Sequence, residues 1–157
     1  MNATEKSAKR TTGKASSVLS DLEKAALQET VRERKRASRR DPAAARAEGE
    51  RDVLAKIAEM AEADRVLAER IHSIVSSTAP SLVPRTFYGM PAYADERGKV
   101  LCFFKAAGTY KERYATFGFQ DNANLDEGSF WPTAWALTGL TPAIEEQIVA
   151  LVKQAAS

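Results

Sequence analysis

Two groups of carboxylates have the residue types that could hold a hard cation. Glu59, Glu62, Asp64 and Glu69 surround a break between two helical patterns, and Asp121, Asp126 and Glu127 share one polar loop. Iron and similar cations take several exchangeable oxygen ligands lying close together. Glu62 and Glu69 are two helical turns apart and can share a face, whereas Asp64 points elsewhere. Arg65 and Arg70 stand among these acids, and the loop lacks the order of a calcium-binding loop. A solvated surface is the competing reading. A second constellation is apolar: Tyr88, Met90, Tyr93, Trp131 and Trp135 could line a concave pocket, with Arg113 or Lys105 fixing an anionic group. At strand spacing, the same residues serve equally well as core. A third is basic: Arg32, Arg34, Lys35, Arg36, Arg39 and Arg40 end one helical pattern and could contact a polyanion such as nucleic acid. Cations at a helix C-terminus also have a purely structural use, worth up to about 1 kcal/mol.

Signatures of catalysis are missing. The single histidine, His72, falls one step off an apolar stripe and reads as a helix-surface residue. The single cysteine, Cys102, sits mid-strand between Leu101 and Phe103, where a buried, inert thiol is expected. There is no phosphate-cradling glycine loop and no pair of histidines for a metal. The expectation is a domain without catalysis of its own.

The elements that must position these residues follow from periodicity and punctuation. Ser20 and Glu23 form a capping box opening a helix that runs to about Arg40, with a thin apolar stripe of Leu22, Ala26, Leu27 and Val31. Asp41-Pro42 breaks it, and an Ala/Glu/Gly connector leads to Gly49. A short amphipathic helix covers 50–60. Another, capped by Asp64, carries Val66, Leu67, Ile71, Ile74, Val75 and Thr78 and ends before Pro80. Periodicity then changes from helix to strand in the run Arg85 to Ala94. Strands are read at Arg85–Tyr88, Ala92–Ala94, Lys99–Lys105, Tyr110–Phe119 and Thr133–Leu137, with Phe87 as core and a hairpin turn at Asp95–Gly98. Thr141-Pro142 opens a last helix with the stripe Ile144, Ile148, Leu151, Val152 and Ala155. Short turns make the sheet mainly antiparallel, of about four to five strands with helices on one face: a two-layer α+β sandwich.

Composition sets further bounds. Among 157 residues, 44% are hydrophobic and the formal net charge is +2. Residues 1–50 carry a net +4 and residues 51–157 a net −2, so any nucleic-acid contact would fall to the leading helix. The polar start, residues 1–18, reads as a disordered tail, 19–48 as a basic helical extension and 49–157 as the domain. No apolar run suits a membrane span or a secretory leader, which leads to a cytoplasmic expectation, as monomer or weak dimer.

The run Phe87-Tyr88-Gly89-Met90-Pro91-Ala92-Tyr93, the Gly98-Lys99-Val100 turn and strand, and the terminal strand and helix resemble the YdhG-like family, the "domain of unknown function 1801" group. The resemblance covers roughly residues 50–155. It implies a compact α+β domain with a frataxin-like layout, and a role in binding iron and delivering it to iron-receiving proteins. The family brings no agreed catalytic motif. A small-molecule-binding module using the aromatic/Met pocket and a nucleic-acid-associated protein acting through the basic helix are the alternatives.

Overall fold

The computed structural model describes residues 20–39 and 41–157, with the side chains of residues 34–39 outside the description. The elements run α1 (Asp21–Arg39), α2 (Pro42–Ala58), α3 (Glu62–Thr78), β1 (Val83–Phe87), β2 (Met90–Ala94), β3 (Val100–Lys105), β4 (Ala115–Phe119), β5 (Ala134–Leu137) and α4 (Pro142–Ala156). The five strands form one antiparallel meander in the order β1-β2-β3-β4-β5. This is the α+β arrangement the turn spacing predicts. The proposed tail, residues 1–18, lies outside the described residues.

Helix starts follow local chemistry. The Glu23 amide donates to Ser20 Oγ at 3.1 Å, the Ala44 amide to Asp41 Oδ1 at 2.8 Å, and the Ile144 amide to Thr141 Oγ1 at 3.2 Å. Pro42 and Pro142 follow two of these caps at the first helical position, where a missing N–H costs nothing. Asp41-Pro42 is therefore the opening of α2 as well as the end of α1. Residues 42–49, read from sequence as a connector, are its first turns, so the expected boundary at 48 falls inside a helix. Asp64 is a second correction. Helix α3 begins after Ala61 with no side-chain cap, and Asp64 is buried within its first turn. Its carboxylate instead accepts from the amides of Ala107 and Gly108, at 3.2 and 2.9 Å. An acid near a helix start thus secures the β3–β4 turn.

The sheet buries one face against the helices. Tyr93, Cys102, Phe104, Ala115, Phe117, Phe119 and Leu137 point into a core completed by Val53, Ile57, Leu67, Ile71, Ile74, Val75, Ile148 and Val152. The other face is only partly covered. There Phe87 is half-buried against Phe103, ring centroids 6.3 Å apart, instead of filling the core as its sequence position suggests. Phe103 also lies across its cross-strand partner Gly118, where a Cβ would approach its ring to 2.5 Å. Val66, placed on the α3 stripe by spacing, is 56% exposed. The segment Tyr110–Arg113 is a turn with Lys111 at φ 55°, so β4 starts only at Ala115.

Helix α2 approaches the sheet most closely at Gly49, which heads a stripe with Val53 and Ile57 at four-residue spacing. A Cβ at Gly49 would lie 2.1 Å from the Pro84 carbonyl oxygen. Arg46, one turn earlier, donates through Nη2 to Pro80 O at 2.5 Å and Leu82 O at 3.3 Å, tying α2 to the lead into β1. Alanine is favoured over glycine inside a helix by about 1 kcal/mol, but a backbone oxygen cannot give way. Gly49→Ala is expected to destabilise the fold by about 2 kcal/mol or more, read as a lower urea midpoint at constant slope.

Candidate functional site

The hairpin between β1 and β2 closes on the pair Phe87 and Met90, leaving Tyr88 and Gly89 as a two-residue turn. Both have left-handed backbone, φ 50° and 79°. Paired positive φ values match the twist of a hairpin, but glycine and asparagine are the usual occupants. A tyrosine held this way stores roughly 1 kcal/mol or more of strain, which the surroundings must impose. They do so through Tyr110, whose hydroxyl donates to the Tyr88 carbonyl at 3.1 Å, and through Phe87, whose ring meets the Tyr88 ring edge-on at 4.6 Å. Tyr88 and Met90 then line a cleft of about 240 Å³. Its remaining walls are Leu22 and Ala26 of α1, Met60 after α2, and Phe104 and Tyr110 from the sheet and the β3–β4 turn. At one end Lys56 Nζ is 3.1 Å from Glu29 and 3.7 Å from Glu59. Burial, then the charges of Glu29 and Glu112, push the Tyr110 hydroxyl's pKa up, so it stays a donor at neutral pH. Lys105 sits 5.1 Å above the Tyr110 ring and pairs with Glu112 at 2.5 Å.

The remaining aromatic candidates do not join this cleft. Tyr93 is 1% exposed and lies in the core. Its hydroxyl ends at His72 Nδ1, 2.8 Å away, and His72 Nε2 is 3.1 Å from Glu50. Tyr93 and His72 share one hydrogen across their contact, and the second ring nitrogen faces the Glu50 carboxylate. His72 is therefore no surface residue. It bridges α2, α3 and β2, because a buried tyrosine hydroxyl needs a partner. The carboxylate–imidazole–hydroxyl order has the look of a proton relay. However, no substrate reaches an oxygen this deep, and burial, then Cys102 and Glu50, hold the phenol well above its usual pKa. Cys102, its cross-strand partner, is likewise buried, with its thiol pushed up by burial. Trp131 lines a separate hollow beside Phe119, and Trp135 another beside α4. Arg113 is exposed, 5.3 Å over the Tyr114 ring.

The carboxylates proposed for a cation are dispersed. Glu62, Asp126 and Glu127 are exposed; Glu69 is 3.9 Å from Arg65, and Asp121 pairs with Lys99. Among the described residues no group of three or more His, Cys, Asp or Glu is placed to hold a metal ion. Of the basic set, Arg32 is exposed; the side chains of Arg34, Lys35, Arg36 and Arg39, and all of Arg40, lie outside the described residues. No described helix is long and apolar enough to cross a membrane.

Sequence reasoning missed Glu33. Helix α1 turns Ala26, Glu29, Thr30 and Glu33 toward the domain and leaves Leu27 and Val31 outside, so half of its expected apolar stripe faces solvent. Glu33 is 8% exposed and neither carboxylate oxygen has a hydrogen-bond partner of good geometry, although the Thr86 hydroxyl lies close. Burial raises its pKa; Thr86 and Arg85 pull the other way, and Glu29 and Asp52 add to the rise.

Two outcomes follow from these contacts. Tyr93→Phe should cost about 1 kcal/mol in urea unfolding by leaving His72 Nδ1 unpaired, and no loss would mean that the bridge carries no stability. A carboxyl with a raised folded pKa favours the fold while protonated. The Glu33 contribution is therefore greatest below its unfolded value and is lost as pH rises through the folded one. Replacement by glutamine should remove that fall, leaving the variant about 1 kcal/mol more stable than wild type near pH 8 and no better near pH 4.

The chain matches no family model, and neither a curated protein nor a solved structure matches it.

Proposed function

We propose that the chain is a non-catalytic, cytoplasmic binding module that takes a small, partly aromatic or apolar ligand in the cleft between α1, α2 and the Tyr88-Gly89 turn. The observation that carries this reading is the strained presentation of Tyr88. An aromatic side chain in left-handed backbone is kept only where neighbouring contacts over-determine it, and such residues concentrate at ligand sites. The cleft has apolar walls in Leu22, Met60, Met90 and Phe104, and a polar end in the Lys56–Glu29 pair. That division suits a ligand with an apolar body and one polar group, anchored by the tyrosine ring at modest entropic cost. A volume near 240 Å³ favours a metabolite-sized molecule over a folded partner.

The iron-delivery role implied by the YdhG-like resemblance gains no support from the placement of the carboxylates. Tyr88 and Met90 belong to the quoted motif, so the same residues that carry the resemblance also line the cleft. The test is a library of small aromatic and apolar fragments followed by amide chemical-shift changes on the full chain. Shifts should gather on Met60, Tyr88, Gly89 and Tyr110. Tyr88→Gly, which relieves the backbone and removes the ring, should weaken the best fragment about ten-fold or more while leaving unfolding stability equal or higher. Shifts scattered over the sheet, or binding indifferent to Tyr88→Gly, would overturn the reading.

A further inference from the structure

Further along the same face of α1, past Glu29, lies a second cleft, of about 360 Å³, lined by α1, α2, β1 and the β2–β3 turn. It shares no lining residue with the Tyr88 cleft. Ala45 and Gly49 from α2, Val83 and Pro84 from β1, and Ala94 give it apolar walls. Glu33 contributes the buried carboxylate, whose two oxygens have no well-aligned hydrogen-bond partner among the described residues, although the Thr86 hydroxyl lies close. Among the described residues the lining also carries Glu48, Asp52, Asp95 and Glu96, with Arg85 and Arg97 as its cations. Arg85 does not satisfy Glu33: its Nη1 donates to Gly98 O at 2.9 Å and its Nε to Thr86 O at 3.4 Å. Asp95 is occupied within its own turn, accepting from the Arg97 and Lys99 amides and from Asn122 Nδ2.

We propose that this cleft is a site for an alkylguanidinium group, whose planar head donates to both oxygens of Glu33 and whose stem lies along Ala45, Val83 and Pro84. The guanidinium fork matches a bidentate carboxylate, and an apolar wall suits the methylene stem of an amphipathic cation. A bare metal ion fits poorly, because Glu33 has no companion ligands that complete a metal set among the described residues. The cation supplies two aligned donors to a carboxylate that has only the Thr86 hydroxyl close to it among the described residues. The proposal stands apart from the Tyr88 reading, and either can fail alone.

Binding depends on the charge of Glu33, so it responds to pH. The groups around it are Glu29 on the same helix, Glu48 and Asp52 on α2, Arg85 on β1, and Asp95, Glu96 and Arg97 in the turn. Burial raises its pKa, so the group charges, and the site opens to a cation, only as pH rises through that value.

The test is calorimetric titration of the full chain with n-butylguanidinium, n-butylammonium and n-butanol. Saturable binding of the guanidinium is expected near pH 8 and should fall as pH is lowered through the Glu33 transition, with the ammonium weaker and the alcohol silent. Glu33→Gln, isosteric and checked for native circular dichroism, should weaken the guanidinium about ten-fold or more, and Ala45→Leu, which fills the apolar wall, should also weaken it. No saturation by about 10 mM, equal binding of the alcohol, or either variant binding like wild type would overturn the proposal.

Discussion

The distance between α2 and β1 governs most of this molecule. At Gly49 the helix backbone meets the Pro84 carbonyl with no side chain between them. That contact lets Val53 and Ile57, on the same stripe, reach the core, and it sets α2 low enough over the sheet for His72 of α3 to reach both Glu50 and Tyr93. Helix α1 then has a shelf to lie on, with the two clefts in succession along its inward face. An α2 held further from the sheet would take Glu50 away from His72 and open the walls that α2 gives to both clefts.

Such a close approach can be made by one residue type only, and nothing in the local sequence announces it. Gly49 stands in an alanine- and glutamate-rich run where it reads as a connector. The elements governed by local rules were legible: Ser20, Asp41 and Thr141 cap helices as their spacing indicates, and Gly98 takes the left-handed position of its turn. So was the meander, because consecutive strands joined by short turns have few other ways to pair. The clefts were not legible. The aromatic and Met residues that seemed to form one pocket are divided among the core and three separate hollows, since strand alternation and loop paths send neighbours in sequence to different places.

Helix α1 is the clearest case of tertiary context overriding pattern. A hydrophobic stripe normally chooses the face that docks. Here Leu27 and Val31 lie outward, while Thr30 and Glu33, one residue away from Val31 or closer to the next turn, are buried. The inward face is tied to α2 by the Lys56–Glu29 pair, and Thr30 satisfies its hydroxyl within the helix by donating back to Ala26 O. Electrostatic contacts of this kind are sensitive to charge state and salt in a way that the core is not. The polar chemistry at the two clefts therefore borders the helix that docks through Thr30, Glu29 and Glu33.

The meander order also bears on how the chain acquires its shape. Every strand pairs with its neighbour in sequence, so the sheet can assemble by successive hairpins with short loops to close. The helices α1 and α2 precede the strand they cover, and Gly49 finds Pro84 only after α3 has formed or been traversed. As the chain leaves the ribosome from its N-terminus, α1, α2 and α3 emerge before any surface on which to rest. Short helices have little stability without tertiary contacts. The first hairpin, β1 with β2, supplies the surface on which α2 rests at Gly49, and the Tyr88-Gly89 turn closes that hairpin.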